Sequence, residues 1–97
     1  MNSNRGENDG ARSGRAVVPN ALGLHARAAA KIAAISGRAR GNVWLWREEE
    51  RADAKSIVDM LILACARGTE VAVSIENEKD AGVLSEIIKT IEAGFGE

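Results

Sequence analysis

The sequence predicts an open-faced α/β sandwich of the α+β kind, a four-stranded antiparallel sheet covered on one face by three helices in the order β-α-β-β-α-β-α. Three observations predict it. The strand candidates mostly alternate apolar and polar residues, as strands with one face in water do. Three other segments carry apolar residues at helical spacing. The chain has 97 residues, one small domain's worth, and once seventeen Ala are set aside, twenty-seven larger apolar residues remain to fill a thin two-layer core.

Residues Met1 to Arg15 hold only Met1 and Ala11 as apolar residues among Gly, Asn, Ser and mixed charges, which predicts a flexible N-terminal tail (1–15) ahead of a single domain (16–97). Ala16 to Pro19 is a short apolar strand that Pro19 ends or confines to an edge, and Asn20 to Leu24 reads as a loop. Strong helix formers then run from about Ala26 to Ser36, with Ala29, Ile32 and Ala33 at helical spacing and Gly37 where a left-handed cap would sit. In Asn42 to Trp46, Val43 and Leu45 point one way and Trp44 and Trp46 the other; the charged stretch Arg47 to Arg51 leads to a brief strand near Ala52 to Ala54, completing a hairpin.

Ser56 precedes an apolar segment, Ile57 to Ala66, broken only by Asp59, so Ser56 is expected to cap a short second helix, with Asp59 as a weaker capping-box partner. Glu70 to Glu76 alternates with Val71, Val73 and Ile75 on one face, a half-buried strand. Asn77 and Asp80 open the longest helix, whose Val83, Leu84, Ile87, Ile88 and Ile91 form one stripe before it ends near Gly94.

Composition excludes several function classes. A formal charge of −1 supplies no field to gather a nucleic-acid backbone. One Cys cannot form an intrachain disulfide, and one His and one Cys forty residues apart offer too few ligands for a metal site. No apolar run approaches the roughly 18 residues of a membrane span, and the start, residues 1 to 15, lacks the continuous apolar stretch of about 7 to 15 residues that a secretory signal needs. These features predict a soluble, cytoplasmic protein without nucleic acid, membrane insertion, metal or cofactor.

The only histidine, His25, lies between a glycine-containing loop and the first turn of the first helix, two residues before Arg27. A helix start offers unpaired backbone N–H groups and the positive end of the macrodipole, both favourable to a phosphoryl anion. Arg27 adds a fork of donors that can hold two phosphoryl oxygens. Gly23 permits a loop conformation that brings the ring to the helix end. The set describes a phosphoryl acceptor; the competing reading is that His25 merely caps or packs the helix start.

The run Asn20-x-Leu22-Gly23-Leu24-His25-Ala26-Arg27-x-Ala29 resembles the active-site signature of the HPr family, histidine-containing phosphocarriers of the bacterial phosphoenolpyruvate-dependent sugar phosphotransferase system. A second similarity follows at the family's spacing: Lys55-Ser56-Ile57 opening a short apolar helix, then Arg67-Gly68-x-Glu70 leading into the last strand. Together they cover about residues 16 to 94. The resemblance implies the same open-faced sandwich, phosphoryl acceptance on Nδ1 of His25 from enzyme I, stabilisation by Arg27, and transfer to enzyme IIA components. Such a protein is a monomeric carrier with a phosphohistidine intermediate rather than a free-standing enzyme. Ala28 stands where the family usually has Pro, which loosens a preset φ without forbidding the geometry.

Ser56 falls on the family's regulatory serine, a target of a dedicated kinase in some bacteria, and is also a helix cap, two compatible roles. The second helix is apolar nearly all round; with Met60 and Leu63 inward, Ile57, Val58 and Leu61 form an exposed patch, where the resemblance implies docking of enzyme I and enzyme IIA. Trp44 and Trp46 are expected on the open sheet face, covered by the aliphatic stems of Arg and Lys neighbours. Cys65 is expected in the core, without a base to activate it. Two alternatives remain open: a regulatory paralogue in a nitrogen-type or other signalling phosphorelay, and an interaction module that binds a regulator through the second helix without phosphorylation.

Overall fold

The computed structural model describes residues 12–97. Four strands, β1 (Ser13–Val17), β2 (Val43–Arg47), β3 (Glu50–Asp53) and β4 (Glu70–Ile75), form one antiparallel sheet in the order β1-β4-β2-β3. Three helices, α1 (Ala26–Ser36), α2 (Ile57–Leu63) and α3 (Ala81–Glu92), intervene or follow, giving β-α-β-β-α-β-α. The registers Leu45↔Val73 and Leu45↔Ala52 place Val43, Leu45, Ala52, Val71, Val73 and Ile75 on a common buried face. Ile32 of α1, Met60 of α2 and Ile87 and Ile91 of α3 close the same core. A residue absent from the amphipathic patterns joins them: Phe95, in a short turn after α3, is 2% exposed with φ of 60°.

Several boundaries differ from those the sequence predicts. The expected tail ends at Arg15, but β1 begins at Ser13, so Ser13, Gly14 and Arg15 belong to the sheet through the pairs Ser13↔Ser74, Gly14↔Val73 and Arg15↔Ala72. Backbone pairing rather than apolar burial holds them, and Gly14 permits close approach, since a Cβ there would lie 3.3 Å from Ile88 Cγ1. The remaining expected tail residues, 1–11, lie outside the described residues. Gly37 is right-handed (φ −62°), its N–H still reaching Ala33 O, so α1 ends without the left-handed cap. The left-handed residue is instead Ala64 (φ 59°), which ends α2 at Leu63, short of Ala66. β3 lies earlier than Ala52 to Ala54, because Glu48, with φ of 57°, turns the chain at once and frees Glu50 and Arg51 to pair with Arg47 and Trp46.

Asp80 secures the approach to β2. This buried carboxylate accepts the N–H groups of Arg40 (2.8 Å) and Gly41 (2.9 Å), tying the loop after α1 to the start of α3. The two amides hold its carboxyl below the usual carboxylate value. On the helix-free face, Trp44 and Trp46 are half-buried. Their cover is a guanidinium rather than aliphatic stems: Arg51 Cζ lies 3.8 Å from the Trp44 ring centre and 5.6 Å from that of Trp46. The indole N–H groups donate to Glu76 (2.8 Å) and Ser74 Oγ (2.9 Å).

Candidate functional site

His25 is the N-cap residue of α1, with extended backbone (φ −84°, ψ −178°) and a ring that makes no capping hydrogen bond. The first helical bond, Ala29 N–H to His25 O at 2.8 Å, leaves the amides of Ala26, Arg27 and Ala28 without an acceptor among the described residues. Ala28 fits here because its side chain is fully buried, and unlike a proline it keeps its N–H.

The loop that sets the ring is pinned from two sides. Gly23 has φ of 65°, and a Cβ there would meet Cys65 O at 2.7 Å. Beside it, Leu24 N–H donates to that same carbonyl at 2.8 Å. Cys65 thus supports the site through its backbone, while its buried thiol is pushed above the usual value by burial, against the opposing charge of Arg47. Asn20, 8% exposed, donates from Nδ2 to Gly23 O (2.8 Å) and to Glu97 Oε1 (3.0 Å), while its Oδ1 has no partner among the described residues.

Glu97 is the residue that sequence reasoning missed. Its Oε2 meets His25 Nε2, an ion-pair geometry across 72 residues of chain. The hydrogen bond from the ring, aided by Asn20 and the charge of Arg27, holds the Glu97 carboxyl below its usual value, against the opposing effect of burial. Lys31 Nζ donates to Phe95 O, fixing this terminal turn against α1. The Arg27 guanidinium is exposed and makes no hydrogen bond or ion pair among the described residues. Two hollows of the surface, one lined by Arg15, Trp46 and Thr69 and the other by Glu50 and Ile62, do not include His25.

Ser56 caps α2, its Oγ accepting Asp59 N–H at 3.1 Å. Asp59 does not complete the expected capping box: its carboxylate reaches Asp53 N–H at 3.4 Å, and Ser56 N–H donates to Asp53 O. Met60 and Leu63 are buried, whereas Ile57 (38%), Val58 (64%) and Leu61 (38%) are exposed. Two further large apolar side chains are exposed, Ile62 (75%) in α2 and Leu22 (72%) in the loop before His25. The described residues contain no helix long and apolar enough to cross a membrane.

A β-α-β-β-α-β-α open-faced sandwich with its histidine at the start of the first helix has the architecture of a small phosphocarrier domain. A family model described as the PTS HPr component phosphorylation site matches residues 13–93. The phosphocarrier protein HPr of Pseudomonas aeruginosa is 38% identical over 81 residues, covering 82% of this chain and 90% of that protein. That of Neisseria meningitidis is 32% identical over 80 residues with the same coverage. The crystal structure of HPr from Thermoanaerobacter tengcongensis superposes with a TM-score of 0.83 at 27% identity, over 89% of this chain and 97% of that one. The chain belongs to the HPr family of phosphotransferase-system phosphocarriers.

Proposed function

We propose that this protein accepts a phosphoryl group from enzyme I, itself charged by phosphoenolpyruvate, on Nδ1 of His25 and passes it to enzyme IIA components of sugar permeases. The observation that carries this reading is the convergence at one helix start: an uncapped histidine whose Nε2 is occupied by Glu97, three amides without acceptors, and the unpaired Arg27 fork. In the transfer, the Nδ1 lone pair forms the bond to phosphorus as the donor's bond breaks. The amides of Ala26, Arg27 and Ala28 and the Arg27 guanidinium then bear on the anionic oxygens. His25 is part-exposed at the start of α1, a position open to a protein donor or acceptor that brings its own pocket.

Ile57, Val58 and Leu61, continued by Ile62, form the docking surface beside this site in our reading. A kinase acting on Ser56 would exchange a cap for a dianion between Asp53 and Asp59, adding charge at the edge of that surface. We read the protein as a cytoplasmic monomer. Incubation with enzyme I and labelled phosphoenolpyruvate tests the proposal: acid-labile, alkali-stable label is expected on the protein, and label that persists in His25→Ala would refute it. Replacing Arg27 by Ala should slow transfer with the fold intact, and Arg27→Lys should recover only part of the rate.

A further inference from the structure

We infer that Arg47 is a positioning residue for phosphoryl transfer: by holding the last carbonyl of α2 it fixes the chain reversal Leu63-Ala64-Cys65, from which both the His25 loop and the outer face of α2 take their places. This role presupposes His25 as the acceptor and α2 as the docking helix. Arg47 ends β2, far in sequence from His25, and its guanidinium makes two contacts. Nε donates to Leu63 O at 2.9 Å, and Nη2 donates to Glu50 Oε1 at 3.0 Å across the turn of the β2–β3 hairpin. The planar fork is thus anchored on the sheet and applied to the end of the helix. The side chain keeps 35% of its surface exposed, so the bond to Leu63 O is partly withdrawn from water. Its charge is felt at Cys65, where it opposes the upward push of burial on the thiol.

The reversal needs such a hold. Seven residues are too few for α2 to stand as a helix without outside contacts. It ends at Ala64, whose φ of 59° and ψ of 60° are unfavourable for a residue with a Cβ and persist only where the neighbours over-determine them. On one side of Ala64, Leu63 O accepts from Arg47; on the other, Cys65 O accepts from Leu24 N–H at 2.8 Å. The second bond pins the active loop, because Leu24 immediately precedes His25. A Cβ on Gly23 would meet that same carbonyl at 2.7 Å, so loop and reversal touch without room to shift independently. With Leu63 O released, Ala64 is free to relax toward right-handed backbone, which swings the Cys65 carbonyl off Leu24 N–H. The same release frays the last turn of α2, which carries exposed Leu61 and Ile62. One guanidinium therefore serves docking and chemistry together, without touching the phosphoryl group.

The test uses the full chain, with transfer from enzyme I followed at a temperature where urea curves show each variant folded. Arg47→Ala should raise KM and lower kcat together, kcat/KM falling about tenfold, the size of one lost charge-assisted bond. Leu61→Glu, which alters docking alone, should raise KM only. Deuterium exchange of the Leu24 amide should speed up in Arg47→Ala by more than that of Val71 and Val73, which separates release of the loop from a general loss of stability. Adding Ala64→Gly to Arg47→Ala should restore most of the lost kcat, because glycine holds φ of 59° without help from its neighbours. Arg47→Lys, a point charge without the fork, should keep part of the rate. Arg47→Ala with the parent's kcat and Leu24 exchange, or a defect that Ala64→Gly leaves untouched, would overturn the role of Arg47. A parent that takes no label from enzyme I would overturn the reading of His25 as well.

Discussion

Replacing Gly23 by Ala should damage both the fold and the site, for reasons that can be separated. The backbone at Gly23 has φ of 65°, where an alanine costs about 1 kcal/mol or somewhat more. The new Cβ would stand 2.7 Å from Cys65 O and 3.0 Å from Ala66 Cα, both backbone atoms that no rotamer change can move aside. The loop must therefore withdraw, stretching the 2.8 Å bond from Leu24 N–H to Cys65 O, worth about another 1 kcal/mol net. Together the loss should be about 2–4 kcal/mol, or roughly 10–25 °C in Tm for a domain of this size. Gly23→Asn should recover only the conformational part, since asparagine tolerates left-handed backbone but brings the same Cβ. Urea unfolding measures the stability, and phosphoryl transfer from enzyme I at low temperature, where the variants are folded, measures the site. Transfer should slow beyond what the folded fraction explains, because His25 rides on this loop. A Gly23→Ala protein within about 0.5 kcal/mol of the parent, with unchanged transfer, would show that the close approach to Cys65 positions nothing.

On α2, Leu61→Glu should leave stability nearly unchanged and weaken calorimetric binding of enzyme I by about 1–3 kcal/mol, whereas buried Met60→Ala should cost about 2–5 kcal/mol of stability instead; normal binding by folded Leu61→Glu would remove α2 from the docking surface. Ser56→Ala should lower stability by about 1 kcal/mol through the lost bond to Asp59 N–H, and Ser56→Asp should slow transfer from enzyme I; thermal melts beside transfer rates separate cap from charge. Glu76, Asp80 and Glu97 are held below ordinary carboxylate values by the Trp44 N–H, the Arg40 and Gly41 amides and the His25 ring, respectively. Their stabilisation is therefore full above the unfolded carboxylate range, about pH 4, and is lost as pH falls through their lower folded values. Asp80→Asn should flatten that acid loss in urea midpoints measured across pH, and an unchanged slope would discount the clamp.

Where a segment's own side chains decide its structure, the sequence was readable. Val71, Val73 and Ile75 alternate because β4 has one buried face, and Leu84, Ile87 and Ile91 line the buried side of α3. β1 was only half legible, since Ser13, Gly14 and Arg15 offer no apolar signal and are held by β4 and by an absent Cβ beneath Ile88. Local rules misplaced the left-handed residue at Gly37 rather than Ala64, because the reversal after α2 answers to a distant demand, the meeting of Cys65 O with Leu24 N–H. The site divided in the same way. His25 and Arg27 lie together in the sequence and their chemistry follows from the helix they begin. Glu97 comes to the ring only through the tertiary structure, carried by a turn whose buried Phe95 belongs to no amphipathic repeat.

The strand order has a kinetic corollary. β1, the first strand of the domain, has a single neighbour, β4, and that neighbour is the last strand to leave the ribosome, with Val17 facing Glu70. Until Glu70 to Ile75 has been synthesised, the nascent chain can close only the β2–β3 hairpin, and β1 has nothing to zip onto. The sheet then assembles from its interior outward, since β4 supplies hydrogen bonds to β1 on one side and β2 on the other in a single addition. Closure of the sheet thereby waits for β4, and the longest loop to close, from β1 to β4, spans α1, the hairpin and α2 alike.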